Sequence, residues 1–244
     1  MKTIGLIGGM SWESTAEYYR IINEAVKERL GGLHSAKIVM YSVEFAEVGR
    51  FQQEARWDEA TDLMIDAAKR VERGGADFVL ICTNTMHKMA DDVAANINIP
   101  LLHIADATAE KIIPLGFNKV GLLGSTFTME EDFYKGRLKG KYNLDVVIPN
   151  EAARQVIHNV IFKELCLGKI KDSSREQLKI IMKNLVANSA QGIILGCTEL
   201  PLLIKQEDCS VPLFDTTAIH AKAAVDYALK DCGRLQCVKD QKLA

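Results

Sequence analysis

The chain is expected to be an α/β protein of two similar, parallel-sheet halves, and three observations predict it. Apolar runs of strand length alternate with stretches that carry apolar residues at helical spacing. This alternation starts again near mid-chain, and three segments of the first half recur in the same order in the second. A chain ordered in this way forms right-handed βαβ units with parallel strands.

The elements follow in sequence. Residues 3–7 read as an apolar strand closed by Gly8-Gly9, and residues 14–29 carry Tyr18, Ile21, Ile22, Ala25 and Val26 at helical spacing. Residues 37–43 are the next strand. Residues 58–73 place Ala60, Leu63, Met64, Ala67, Ala68 and Val71 on one helical face, and Gly74-Gly75 stops the helix. A buried strand over 78–82, a helix over 88–96 and a short strand over 100–104 complete the first half. From Ala107 the pattern restarts. In the second half Ile193, Ile194 and Leu195 form a buried strand, and Gly196 gives the chain room to turn. Cys197 therefore falls at the carboxyl end of a strand with Thr198 and Glu199 just past it, and that is where open α/β sheets bind ligands.

Alignment of the halves sets the domains. IGLIGG at Ile4 matches VGLLGS at Val120, FVLICT with Cys82 matches IILGCT with Cys197, and IPLLHIADA at Ile99 matches VPLFDTTAI at Val211; the offsets are 116, 115 and 112 positions. One domain is expected over residues 1–104 plus 214–230 and the other over 105–213, with 231–244 as a polar C-terminal tail. The helix around 220–229 would return to cover the first domain.

Composition narrows the function classes. The 244 residues are 48% hydrophobic and 25% charged with a net charge of −2, which gives no electrostatic case for nucleic acid or an anionic membrane. The start, MKTIGLIGGM, has no secretory signal, and no apolar stretch is long enough to cross a bilayer, so a cytoplasmic protein is expected. Six cysteines in a chain of this size read as reduced thiols, with Cys232 and Cys237 in the tail, and no spacing points to a metal. A small molecule is the expected partner.

If the halves pack about a pseudo-twofold axis, each brings a Gly-rich and a Cys-Thr strand end to one cleft between domains, a common place for a ligand. Inverting a carbon–hydrogen stereocentre needs a base on one face and an acid on the other, and two similar half-sites supply that opposition.

The stretches IGLIGGMSW, CTNTMHK, LLGSTFTM, GCTELP and VPLFDTTAIH together give the chain a resemblance, over nearly its whole length, to the aspartate/glutamate racemase family. The resemblance is to the subgroup specific for L-aspartate and L-glutamate. It implies two Rossmann-like domains, racemisation without a cofactor, a site between the domains and a homodimer. The Gly5, Gly8 and Gly9 spacing is GxxGG rather than GxGxxG, so no dinucleotide is expected.

The family's first motif is a catalytic cysteine followed by Asn-Thr; here Thr83 precedes Asn84-Thr85, and Cys82 stands one position earlier. Anchored on Asn-Thr, Thr83 takes the first catalytic position; anchored on the internal repeat, Cys82 pairs with Cys197. Neighbouring side chains in a strand point to opposite faces, so only one of the two faces a substrate, and Thr83 is favoured. The second-half cysteine of the family acts on the L-enantiomer. Cys197 would therefore take the α-proton, and Thr83, a poor base that can still donate or relay, would return one. Helix N-termini and a bound ammonium are expected to draw the Cys197 thiol toward the thiolate.

The resemblance places Met10 beside the substrate; charge developing at the α-carboxylate needs fixed donors, for which Asn84, Thr85 and Thr198, with Thr126 in the opposite loop, are the candidates, each with helix capping as its ordinary alternative. Arg50 falls where aspartate racemases carry an arginine for the distal carboxylate, with Gln52 beside it, and Glu199 is expected to orient the thiol or carry protons. Cys166 stands where those enzymes have a lysine; Lys163 lies one turn earlier. His87, His103 and His220 read as structural. A broad-specificity racemase, a diacid isomerase or decarboxylase of the same superfamily, and a non-catalytic amino-acid-binding protein are the alternatives.

Overall fold

A computed structural model describes residues 1–230 and divides them into two compact units. The tail read over 231–244, with Cys232 and Cys237, lies outside the described residues. The first unit holds Met1–Cys82, Met89–Leu102 and residues 220–230; the second holds Thr83–Lys88 and His103–Ile219.

In the first half, β1 (Ile4–Gly8), α1 (Trp12–Leu30), β2 (Ile38–Ser42), α2 (Phe45–Gln53), α3 (Trp57–Arg73), β3 (Phe78–Ile81), α4 (Ala90–Ala95) and β4 (Leu101–Leu102) follow one another. The strands pair in parallel in the order β2-β1-β3-β4. Strand alternation sorts the two faces. Ile4 and Leu6 of β1, and Phe78, Leu80 and Cys82, pack with Tyr18, Ile22 and Val26 of α1. Gly5 looks the other way, so close to the Val71 side chain of α3 and to the Phe78 carbonyl that a Cβ has no room. Helices thus cover both faces of the sheet.

The second half repeats the plan with α5 (Ile104–Ile112), β5 (Lys119–Gly124), α6 (Thr126–Glu130), α7 (Asp132–Tyr142), β6 (Asp145–Val147), α8 (Glu151–Lys163), α9 (Asp172–Ala187), β7 (Ile193–Gly196), α10 (Leu200–Leu203), β8 (Leu213–Asp215) and α11 (Thr216–Leu229). Its parallel order is β6-β5-β7-β8, the same permutation as the first. In each sheet the strand order reverses between the first and third strands, which defines a switch point at their carboxyl ends. The helix expected over 220–229 is part of α11, and its Ala221, Ala224, Val225 and Ala228 fill the first unit's core.

Several bounds differ from the sequence reading. The stretch expected as a helix over 88–96 opens instead as a 3-10 turn, Thr85–Met89, with α4 only from Ala90. The strand expected over 100–104 shrinks to two residues because His103 caps α5, its Nδ1 accepting from Ala105 N at 3.1 Å. α2 has no counterpart among the elements expected from the sequence: nine residues with Val48 and Phe51 as the buried apolar pair give too little periodicity to stand out. No helix among the described residues is long and apolar enough to cross a membrane.

His220 is fully buried in the first unit. Its Nε2 lies 2.9 Å from the Leu102 carbonyl, which can only accept, so Nε2 carries the proton and Nδ1 accepts from the Tyr18 hydroxyl at 3.0 Å. Burial lowers its pKa to about 4, against an ordinary value of 6.5. A histidine held neutral contributes stability above the unfolded pKa and loses it as pH falls through the folded one. Urea unfolding should show about 3 kcal/mol lost between pH 6.5 and 4 that is absent from the pH profile of His220→Gln.

Candidate active site

The second unit carries its polar residues at the carboxyl ends of β5 and β7, the switch-point strands. Gly124 ends β5 against β7: a Cβ on it would lie 2.8 Å from the Gly196 carbonyl. Ser125 then caps α6, its Oγ accepting from Thr128 N at 3.3 Å. Cys197 follows β7 directly, and Pro201 lies in the first turn of α10.

Around Cys197 the polar groups converge on one oxygen. Glu199 is buried, and its Oε2 accepts from Cys197 Sγ at 3.0 Å and from Thr198 Oγ1 at 2.8 Å. Burial first, and the negative charge of Glu199 second, push the thiol pKa well above its ordinary value. The expectation that helix N-termini draw this thiol toward the thiolate is not met in the unliganded protein: α10 is only four residues long, and the nearest charge is anionic. These surroundings favour the protonated thiol, which faces a carboxylate oxygen.

The segment Thr83–Lys88 belongs with this unit and is fixed by hydrogen bonds. His87 Nε2 accepts from Ile104 N at 3.2 Å, so the ring proton sits on Nδ1 and is given to the Thr83 carbonyl at 2.7 Å. The Thr85 hydroxyl lies 3.1 Å from that of Ser125 and 3.5 Å from that of Thr128, which are themselves 3.1 Å apart. Asn84 Nδ2 donates to Thr216 Oγ1 at 3.1 Å. Thr83 and Asn84 are both buried.

Cys82 is placed differently. Its side chain is wholly buried in the first unit's core with Leu6, Tyr18 and Ile22, and burial alone pushes its thiol pKa strongly up. Nothing there would support a thiolate. The remaining residues expected in the first unit are Met10, buried after Gly9 (φ +94°), Arg50, exposed on α2, and Gln52, buried on the same helix. Cys166 lies in a 3-10 turn after α8, which ends at Lys163.

Thr126 begins α6 and brings in a residue the sequence did not reveal. His158 of α8 places its Nδ1 3.2 Å from the Thr126 hydroxyl and 3.5 Å from Thr126 N, between the rings of Phe127 and Phe162. Burial and the charge of Lys163 lower its pKa, against the opposing charge of Glu130. A single histidine on an amphipathic helix carries no local signal for this contact. Thr128, Thr216 and Thr217 lie in the LLGSTFTM and VPLFDTTAIH stretches, and nothing in the sequence alone distinguishes them from their neighbours. Among the described residues no group of three or more His, Cys, Asp or Glu is placed to hold a metal ion.

This geometry agrees with relationships to known proteins. Residues 7–224 match the family model Asp/Glu/Hydantoin racemase. The chain is 53% identical to a Yersinia pestis protein described as a candidate Asp/Glu racemase, with a TM-score of 0.88 over 94% of this chain and 100% of that one. It is 40% identical to an aspartate racemase homologue from Pyrococcus horikoshii, with a TM-score of 0.81 over 93% and 99%. A broad specificity amino-acid racemase of Bacillus subtilis is 28% identical over 172 residues, 69% of this chain and 72% of that one. The chain belongs to the Asp/Glu/Hydantoin racemase family and is an isomerase acting on amino acids.

His87→Ala leaves the Thr83 carbonyl and the Ile104 N–H unpaired in a buried place. Urea denaturation should show a loss of about 3 kcal/mol, and an unchanged midpoint would mean that the two hydrogen bonds do not hold the segment.

Proposed function

We propose that the protein interconverts the enantiomers of acidic amino acids, L-aspartate and L-glutamate foremost, without a cofactor, and that Cys197 and Thr83 act at the α-carbon. The observation that carries this reading is the Cys197–Glu199 hydrogen bond, a protonated thiol whose proton already points at a buried acceptor. Transfer of that proton to Glu199, favoured when a substrate ammonium arrives, leaves a thiolate that removes the α-proton of the L-enantiomer. The Thr83 hydroxyl, relaying a proton from water, protonates the opposite face. Taking the α-proton restores the Cys197 thiol, and the proton left on Glu199 returns to solvent before the next turnover. Cys82 supports no such role, because its thiol lies in an apolar core.

The pair is chemically unequal, yet enantiomers are equal in free energy. The equilibrium ratio is therefore one, and kcat/KM must be the same in both directions. A preference for the L-form is expressed in kcat and KM separately. Arg50 and Gln52 are the groups assigned to the acidic side chain. The similarity to a broad specificity racemase favours a second reading, in which uncharged amino acids also turn over. The reading also carries a homodimer in the cytoplasm, checked by sedimentation and by fractionation.

The test is α-proton exchange in D₂O with both enantiomers of glutamate, aspartate and several uncharged amino acids, followed by NMR and chiral chromatography. Exchange should vanish with Cys197→Ser and persist with Cys82→Ala. Thr83→Cys should speed the D-substrate. Absence of exchange on every amino acid would sink the proposal.

Glu199→Gln separates the two effects of the carboxylate. Removing its charge should lower the pKa of the Cys197 thiol, read from thiolate absorbance or from the pH dependence of alkylation. Removing the proton acceptor should cut the racemisation rate by about 10²–10⁴-fold. A variant with a lower thiol pKa and full activity would show that the carboxylate carries no proton.

A further inference from the structure

We propose that Thr216 is a positioning residue that fixes the Asn84 side-chain amide with its oxygen turned away from Thr216, and that this oxygen receives the α-ammonium group of the substrate. The inference rests on the proposed function for the identity of the ligand, but the orientation of the amide follows from hydrogen-bond counting. The Thr216 hydroxyl is fully buried and lies 2.8 Å from the Leu195 carbonyl. A carbonyl only accepts, so the single hydroxyl proton of Thr216 is spent there. Toward Asn84, at 3.1 Å, Thr216 can then only accept, and the atom facing it must be the Asn84 NH₂ group. The amide has no second orientation available.

The consequence is an acceptor without a donor. Asn84 Oδ1 is buried and has no hydrogen-bond partner among the described residues, and neither does the hydroxyl of the buried Thr217 beside Thr216. Buried polar atoms are rarely left unpaired, so a carbonyl oxygen turned away from Thr216 and without a donor calls for one from a ligand. It repels a carboxylate and attracts an ammonium. This reverses the sequence-based expectation that the Asn84 side chain donates to the α-carboxylate. The Leu195 carbonyl anchoring the chain lies two residues before Cys197, so the same strand end holds the thiol and, through Thr216, the amide.

The experiment measures calorimetric binding of L-glutamate and of glutarate, its analogue without the amino group, in a Cys197→Ala background that does not turn over. With Thr216 intact, L-glutamate should bind more tightly than glutarate. Thr216→Val should weaken L-glutamate by about 10–100-fold while moving glutarate less than about threefold. Thr216→Ser, which keeps the hydroxyl, should restore the preference. Asn84→Ala should reproduce Thr216→Val, and the double variant should add nothing further. With Cys197 present, Thr216→Val should raise KM far more than it lowers kcat. Equal weakening of both ligands, no weakening of either, or additive effects in the double variant would each overturn the role of Thr216. Intact L-glutamate selectivity in a wild-type protein that exchanges no α-proton would instead overturn the racemase reading and leave this one standing.

Discussion

A buried hydroxyl or amide must give its proton to something, and in the segment Thr83–Lys88 that requirement decides the local structure. The His87 ring proton goes to the Thr83 carbonyl, the Asn84 amide protons go toward Thr216, and the Thr85 hydroxyl joins those of Ser125 and Thr128. Each of these partners lies in the second unit. The chain leaves the first sheet at Cys82 and is committed from the next residue on. Thr83 and its neighbours are therefore held by the frame that also carries Cys197, and burial makes each unmade hydrogen bond costly enough to keep the segment in one conformation.

The same reasoning explains the resting state of Cys197. Its surroundings disfavour the thiolate through burial and through the Glu199 charge. A permanently ionised thiol in an unliganded protein would be open to oxidation and alkylation. In the proposed mechanism a protonated thiol with a carboxylate at 3.0 Å keeps the base latent, and the charge of an arriving ligand shifts the balance. The proposed mechanism thus needs the substrate to help generate its own base.

The alternation of strand and helix was legible because it depends on local periodicity, and so was the duplication, because both halves keep the strand order 2-1-3-4. The core placement of Cys82 was legible for a related reason: strand parity puts it on the side of Leu80 and Phe78. Other features depend on tertiary contacts that leave no local trace. α2 is too short for its pattern to register, the His158 contact with Thr126 needs α8 to pack beside α6, and the Asn84 orientation is set by Thr216, more than a hundred positions away. Motif spacing reveals which residue types meet, but the direction of each hydrogen bond depends on what the partner has already donated.

Duplication supplies equivalent places, and side-chain chemistry makes them unequal. In the register of the internal repeat, His103 corresponds to Asp215 and Ile104 to Thr216, and both capping residues do the same work: His103 accepts from Ala105 N and Asp215 from Ala218 N. The residues after them diverge. Ile104 offers a backbone N–H to His87, whereas Thr216 offers a hydroxyl to Asn84. Two equivalent helix starts thus hold neighbouring residues of one segment, one through the main chain and one through a side chain. The strand ends diverge in the same manner: in that register Cys82 corresponds to Cys197, yet Cys82 packs in an apolar core while Cys197 has a carboxylate partner. In the proposed mechanism this inequality makes Cys197 the base and Thr83 the proton relay at the α-carbon, rather than two like bases.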